Sequence, residues 1–423
     1  MTQEDEARMV AQQGHNGSAP LMGFWYPALL SSTIRKGTMK AQTLVGMPLV
    51  LCRNCEGNVA ALHDLCPHRA MPLSIGCFDG QRIACSYHGW QFDLTGTCRH
   101  IPSLTKGAAL KPEKIGVTTY PCRDQDGYAW VYIPGSDGTS KPLPDIPRLP
   151  LLSQHHRLVH ISTNLNCTID NGVIGLMDPA HGPFVHESSW WRRRDNIREK
   201  AKTFEPIPNG FRMKARSSSH HSGPYKLLGL SGPITTTIDF ILPSHRVELI
   251  QAGQWWFSTL ATVTPISQEE CRIDFCAAWN CLPWLPFAKN LFRIFAQIFI
   301  DQDKRVMEKQ SVGLKHVPSM MLIDDADTQA KWYLKLKTAY LISRKYGAPL
   351  EHPLKGGPLR SDGEVSESIN VVPLFVIARW LRFWHGKAEV AISAFNSLND
   401  THKEHPLGDT IGSRVMGWIT VRY

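Results

Sequence analysis

The stretch CPHRAMPLSIGCFDGQRIACSYHGW, residues 66–90, carries a Cys-x-His pair at Cys66 and His68 and a Cys-x-x-His pair at Cys85 and His88. Two thiols and two imidazoles in so short a span point to a bound metal. A structural zinc site is the plain reading, but zinc motifs usually pair like with like, two cysteines and then two histidines. Here each short motif holds one of each. That alternation suits a two-iron cluster in which thiolates hold one iron and imidazoles the other. Each motif then belongs on its own β-loop, and the two loops clamp the cluster from two sides. Pro67 stiffens the first loop, and Gly89 lets the second bring its backbone close.

Other cysteines nearby read differently. Cys52-x-x-Cys55 has redox-motif spacing but no βαβ context, so both are expected to be structural. Cys77 and Cys98 flank the loops without a paired histidine and are read as packing residues.

The 423 residues exceed one ordinary core and imply two domains. Hydrophobic content of 43% and charged content of 20% describe a globular chain. The polar, acidic start MTQEDEARMVAQQGHNGSAP is not a signal peptide. No window is apolar and uncharged over a membrane-spanning length. Eleven cysteines at scattered spacings do not form a secreted disulfide framework. A reducing, cytoplasmic location is expected. The formal charge of +9 would suit nucleic acid, an anionic membrane or an acidic protein. With no nucleic-acid motif present, the acidic protein is preferred.

The boundaries read as a tail at 1–22, a first domain at 23–140, a linker at 141–150 and a second domain at 151–423. The first domain reads as short β segments: TLVGMPLVLCRNCEGNVAALHDLC is an apolar run, a turn at Glu56-Gly57 and a second apolar run. The Pro/Gly/Ser-rich stretch at 134–150 leads into the linker. Residues 166–187 read as helical, 203–281 as long antiparallel strands, and 287–315 as helical. DDADTQAKWYLKLKTAYLIS starts a further helix with acidic residues at its N-terminal end. EHPLKGGPLRSDGEVSES reads as a polar loop, and 371–385 as amphipathic. The fold class is α+β.

A second constellation lies in DNGVIGLMDPAHGPFVHESSWW, residues 170–191. If the segment is helical, His181 and His186 lie within about 140° of each other around the axis. Two histidines and a carboxylate from elsewhere make a facial set that leaves open positions on Fe(II). The spacing alone is weak, since histidines near a proline are common.

The first motif, C-P-H followed by C-x-Y-H-G-W, matches the Rieske [2Fe–2S] signature, and Asp178, His181 and His186 match D-x₂-H-x₄-H. Over roughly residues 23–315 the chain resembles the Rieske non-haem iron oxygenases. The resemblance implies a second domain of helix-grip form, an antiparallel sheet around a mononuclear Fe(II). It implies His181, His186 and a downstream Asp as iron ligands. In DQDKRVMEKQ, Asp303 fits best, with Asp301 as its rival; Asp324, Asp325 and Asp327 are better explained as a helix start. Asp178 is implied as a bridge between His181 and His88 of a neighbouring subunit, or else it caps a helix before Pro179. Asn171 precedes Asp178 by seven residues, farther than the family's pattern, which leaves it without an assigned role. The resemblance further implies a ferredoxin or reductase as electron donor, O₂ as co-substrate and a homotrimer.

The expected reaction is monooxygenation of an apolar or aromatic small molecule. O- or N-demethylation, desaturation and oxidative cyclisation are alternatives within the family. A pure electron carrier and a zinc-stapled binding module are alternatives from other classes. Leu249, Trp255, Phe257 and Phe275, with the apolar segment 282–300, are candidate pocket residues, though core packing explains them equally well. The basic run WWRRRDNIREK, 190–200, is a docking candidate or a solvated loop. His220 and His221, adjacent on a strand, would face opposite ways and make no site. The 371–385 stretch is a core helix, or a segment that closes a substrate channel or touches a membrane surface.

Overall fold

The computed structural model describes residues 19–105, 107–135, 142–153, 157–186, 198–218, 234–280, 287–317, 320–356 and 359–365. Residues 190–197, His220, His221 and 371–385, each singled out above, lie outside the described residues.

The N-terminal part is made of short strands: β1 (Phe24–Leu30), β2 (Thr38–Leu44), β3 (Met47–Arg53), β4 (Val59–His63), β5 (Cys77–Phe78), β6 (Arg82–Ala84), β7 (Gln91–Asp93), β8 (Cys98–His100), β9 (Thr119–Tyr120), β10 (Cys122–Gln125) and β11 (Tyr128–Ile133). They form three antiparallel sheets, ordered β1-β11-β10, β2-β3-β4-β9 and β5-β6-β7-β8. The turn between β3 and β4 is held by Asn54, whose side-chain oxygen accepts the backbone N–H of Gly57 and of Asn58, each at 2.8 Å. Cys52 is buried in β3 and Cys55 is exposed in that turn. Cys98 is buried as expected, whereas Cys77 is exposed: the two-residue strand β5 lies where no layer covers that side chain.

The C-terminal part runs β12 (Arg157–Leu165), α1 (Ile169–Met177), α2 (Gly182–Val185), β13 (Arg198–Ile207), β14 (Gly210–Ser218), β15 (Ile234–Ile241), β16 (His245–Ala252), β17 (Trp255–Pro265), β18 (Cys271–Trp279), α3 (Ala288–Leu314), α4 (Thr328–Tyr346) and β19 (Leu359–Val365). Its eight strands make one sheet ordered β12-β18-β17-β16-β15-β14-β13-β19. The α+β architecture expected above, a β-rich first domain and then an antiparallel sheet carrying helices, is the observed one. Two strands were not foreseen. β12 closes one edge against β18. β19 falls in the expected polar loop and pairs with β13, Phe204 opposite Leu359. Backbone hydrogen bonds at an edge need no apolar alternation, so LRSDGEV carried no strand signal.

The expected helix at 166–187 is broken. Thr168 caps α1 by accepting the N–H of Asn171 at 3.4 Å, and α1 ends at Met177 with Asp178 as its C-cap. Pro179 follows, and the chain restarts as the single turn α2, flanked by His181 and His186.

Alternation along the strands divides the sheet into two faces. The inner face carries Phe211, Phe240, Phe257 and Val263 and packs under the helices. Two glycines let α1 sit close: a Cβ on Gly172 would lie 2.9 Å from Val263 Cγ1, and one on Gly175 would lie 2.5 Å from Met307 Cε of α3. The outer face carries Val247, Trp256, Leu260 and Cys276 and meets Trp25, Tyr128 and Trp130 of the first domain. There the buried Arg272 donates to Pro27 O at 2.7 Å and pairs with Asp274 at 2.9 Å. Asp274 also accepts from Ser162 at 2.5 Å and Thr264 at 3.0 Å, so the charge is satisfied where the domains join. Leu249 lies on this outer face, packed against the interdomain cluster, so it cannot share a pocket with Phe257 and Phe275. Among the described residues no helix is long and apolar enough to cross a membrane.

A buried ion pair ties α1 to α4. Lys337 Nζ lies 2.6 and 2.7 Å from the two carboxylate oxygens of Asp170, and Tyr333 Oη donates to the same group at 2.5 Å. Removing one partner strands a buried charge. Lys337→Met is predicted to destabilise the folded protein by about 3–5 kcal/mol, and adding Asp170→Asn should recover part of the loss. Denaturant unfolding of the three proteins checks this.

Candidate metal centres

The two Cys/His loops are built to one plan. Cys66 N–H donates to Met71 O at 2.8 Å, and Cys85 N–H donates to Trp90 O at 2.9 Å. Four residues after each cysteine, Ala70 and Gly89 return an N–H to Cys66 O and Cys85 O, at 2.8 and 2.9 Å. Both of those residues have a left-handed backbone, φ +53° and +69°, which glycine takes freely and Ala70 takes at a cost. The loops thus present Cys66 and Cys85 from below, buried at 2% and 3% exposure, and His68 and His88 nearer the surface.

The thiols of Cys66 and Cys85 are in hydrogen-bond reach of each other, and burial pushes the Cys66 thiol up to about 11. The imidazoles of His68 and His88 also pair, with ring centroids 4.5 Å apart, and His68 stacks on Trp90 at 4.6 Å. Yet the four groups do not converge on one point. Among the described residues only His181, His186 and Asp303 bring three donors within 4.8 Å of one another. A tetrahedral zinc would draw all four together. Thiol beside thiol and imidazole beside imidazole, as two separate pairs, fit a two-iron cluster.

The second centre is compact. His181 Nε2 and His186 Nε2 are 3.2 Å apart, and Asp303 Oδ1 lies 3.5 Å from the first and 3.1 Å from the second. Donors about 2.1 Å from one ion lie about 3.0 Å apart at right angles and about 3.4 Å apart in a tetrahedron, so these separations suit a metal ion. The break at Pro179 brings the histidines together, and α3 supplies Asp303. Asp301 is turned away, accepting Gln297 Nε2 at 2.9 Å. Asp324 is paired with Lys331 at 2.6 Å beside the start of α4.

Each histidine is steadied from behind. His186 is 1% exposed, stacks on Phe299 with centroids 3.5 Å apart, and donates from Nδ1 to Gln302 Oε1 at 2.9 Å. That bond leaves Nε2 with its lone pair toward the other donors. His181 Nδ1 lies 3.6 Å from Asp178 Oδ2, while Asp178 Oδ1 accepts the N–H of Ala180 at 2.7 Å. Burial opposes a proton on His181, but Asp178 and Asp303 outweigh it and push the ring up to about 9. Burial would raise Asp303, but hydrogen bonds from His181 and His186 hold it below the usual carboxylate range. A cation between these groups is favoured, be it proton or metal. Gln302 and Phe299 escaped the sequence reading. Their signal was positional: on α3, Phe299 stands three residues before Gln302 and four before Asp303, about one helical turn away.

The chain matches the family described as the Rieske [2Fe-2S] domain over residues 24–121 and the vanillate O-demethylase oxygenase C-terminal domain over residues 161–338. With both domains in that order, the chain belongs to the Rieske oxygenases. It is 28% identical to chlorophyllide a oxygenase, chloroplastic, of Chlamydomonas reinhardtii, over 66% of this chain and 41% of that protein. It is 31% identical to Protein TIC 55, chloroplastic, of Arabidopsis thaliana, over 74% of this chain and 58% of that protein. The chain spans about half the length of the curated relatives it matches. Its fold resembles the crystal structure of dicamba monooxygenase bound to dicamba, with a TM-score of 0.62 at 22% identity, covering 78% of this chain and 99% of that one.

Two outcomes follow for the second centre. Gln302→Leu should weaken Fe(II) binding by about 10–100-fold and leave the visible spectrum of the cluster unchanged. Fe(II) must displace the proton favoured on His181, so affinity should rise by about tenfold per pH unit up to pH about 9 and then level off. Equilibrium metal titrations between pH 6 and 10 measure both.

Proposed function

We propose that the chain is the terminal oxygenase component of an electron-transfer system and inserts oxygen into an apolar or aromatic small molecule. The observation that carries this is the His181, His186 and Asp303 centre standing behind a Rieske domain in one chain. A pure electron carrier has no use for the second centre. Zinc also accepts two histidines and a carboxylate, but it has no redox chemistry to use a neighbouring cluster's electrons. When bound, the cluster supplies one-electron transfer and the ferrous ion supplies activation of O₂.

The chain's own residues do the positioning. Asp303 and the two histidines would hold the ion. Gln302 fixes the orientation of His186, and Phe299 covers its ring. Asp178 holds His181 and is itself 31% exposed at its side chain. His68 is exposed, and His88 is half-buried, at the surface of the first domain. Exposure at both ends supports a route between subunits: His88 of a neighbouring subunit meets Asp178, which hands the electron on through His181. Such head-to-tail contacts close into a ring, here a homotrimer. The net charge of +9 favours an acidic ferredoxin or reductase as donor. The described cysteines are free, which fits a reducing compartment; the two relatives above are named chloroplastic, so the cytoplasm is not preferred over a plastid.

The likeness of the second domain to that of vanillate O-demethylase favours O-demethylation as the second reading. Both begin with oxygen entering a C–H bond. Anaerobically reconstituted protein should hold about three irons and two sulfides per chain, two irons in the cluster and one in the second centre. Two irons would make it a carrier, and a colourless zinc protein would make it a binding module. With both centres filled, Asp178→Ala should cut donor-dependent O₂ uptake by about 100-fold. Unchanged uptake would contradict the proposed route.

A further inference from the structure

A second pair of thiols meets where no cluster accounts for it. Cys271 opens β18 opposite Leu165 of β12. Two residues beyond Leu165 the chain turns toward α1, and Cys167 comes back beside Cys271. Their Sγ atoms are 3.5 Å apart. Both residues are buried, Cys167 at 2% and Cys271 at 0% exposure. The helix α1 closes over them: a Cβ on Gly172 would stand 3.1 Å from Cys271 Sγ and 3.7 Å from Cys167 Sγ.

The pair is not a metal centre. Among the described residues no histidine, carboxylate or further cysteine joins it to bring three donors within 4.8 Å. Any small apolar side chain would fill the same space. What two thiols in contact add is chemistry, because an S–S bond of about 2.05 Å is only about 1.5 Å of approach away. The hydrogen bond from Cys271 holds the Cys167 thiol below its ordinary range, which makes Cys167 the nucleophile of the two.

We propose that Cys167 and Cys271 are an oxidisable pair, a site for a disulfide that staples the chain entering α1 to the first residue of β18. The oxidant is a small-molecule disulfide. Cys167, as its thiolate, attacks one sulfur of the oxidant, forms a mixed disulfide and releases one thiol. Cys271 gives up its proton, attacks Cys167 Sγ and releases the second thiol. The protein loses two electrons and two protons, and the oxidant gains both. The new bond closes a span of 104 residues that contains α1, His181, His186 and β13 to β17. Closing so long a loop restricts the unfolded chain and stabilises the fold. No metal donor takes part, so the site stands whether or not the chain is an oxygenase.

The test uses the full chain loaded with its cluster and Fe(II), incubated without oxygen in oxidised glutathione. Free thiols are then alkylated and the peptides mapped by mass spectrometry. A peptide pair joined through Cys167 and Cys271 is expected in most chains, with the visible spectrum of the cluster unchanged. The exposed Cys55 and Cys77 should carry glutathione and so report that the oxidant has acted. The oxidised protein should melt about 5–10 °C above the reduced one. In Cys167→Ala and in Cys271→Ala that redox-dependent difference should vanish, whatever the variant's own melting temperature. The link is sought again after unfolding and refolding in the same buffer, which removes burial as a barrier to exchange. Its absence from both samples overturns the proposal. Equal melting of linked and reduced wild type, or a redox-dependent difference that survives in either variant, overturns it as well.

Discussion

Three donors held 3.1–3.5 Å apart, two imidazole nitrogens and a carboxylate oxygen, are the constraint around which the second domain is arranged. Such a cluster is unfavourable unless a cation neutralises it, and it survives only if each donor is fixed by something stiffer than itself. The fixing runs outward in steps. Gln302, Phe299 and Asp178 hold the rings. The break at Pro179 sets the spacing of the two histidines. The long helix α3, 27 residues, carries Asp303 from the sheet to the centre. α1 fits between sheet and α3 because Gly172 and Gly175 leave room there.

The sheet serves two masters, one on each face. Its outer face is a domain interface, closed by Trp25, Trp130 and Trp256 and by the satisfied network of Arg272 and Asp274. Its inner face, with Phe211, Phe240, Phe257 and Val263, packs under the helices. Period-two alternation lets one strand do both jobs, with Trp256 facing the first domain and Phe257 facing α3. The cluster loops stand off from this sheet on a smaller one. The two loops share one plan of backbone hydrogen bonds, and His68 also stacks on Trp90 of the other loop.

Much of this was legible because metal chemistry restricts both residue type and spacing. Cys66, His68, Cys85 and His88 could be read as one site because few other arrangements mix thiols and imidazoles in that way. His181 and His186 became informative only beside that motif. The strands from 203 to 281 were visible because their inner and outer residues alternate. What stayed hidden depends on contacts between distant segments. Asp170 and Lys337 are 167 residues apart and form one buried pair. Gln302 meets His186 across 116 residues. β19 is polar because it is an edge. Leu249 looked like a pocket residue because hydrophobicity does not say which face of a sheet a side chain takes, and the register does.

The most direct measurement is anomalous scattering at the iron absorption edge from crystals of the fully loaded protein. The account predicts two separate peaks in each chain. One is a close pair of irons bounded by Cys66 and Cys85 on one side and His68 and His88 on the other. The second is a single iron about 2.1 Å from His181 Nε2, His186 Nε2 and an oxygen of Asp303. A lone ion held by all four cluster residues, or an absence of iron between His181, His186 and Asp303, would contradict it.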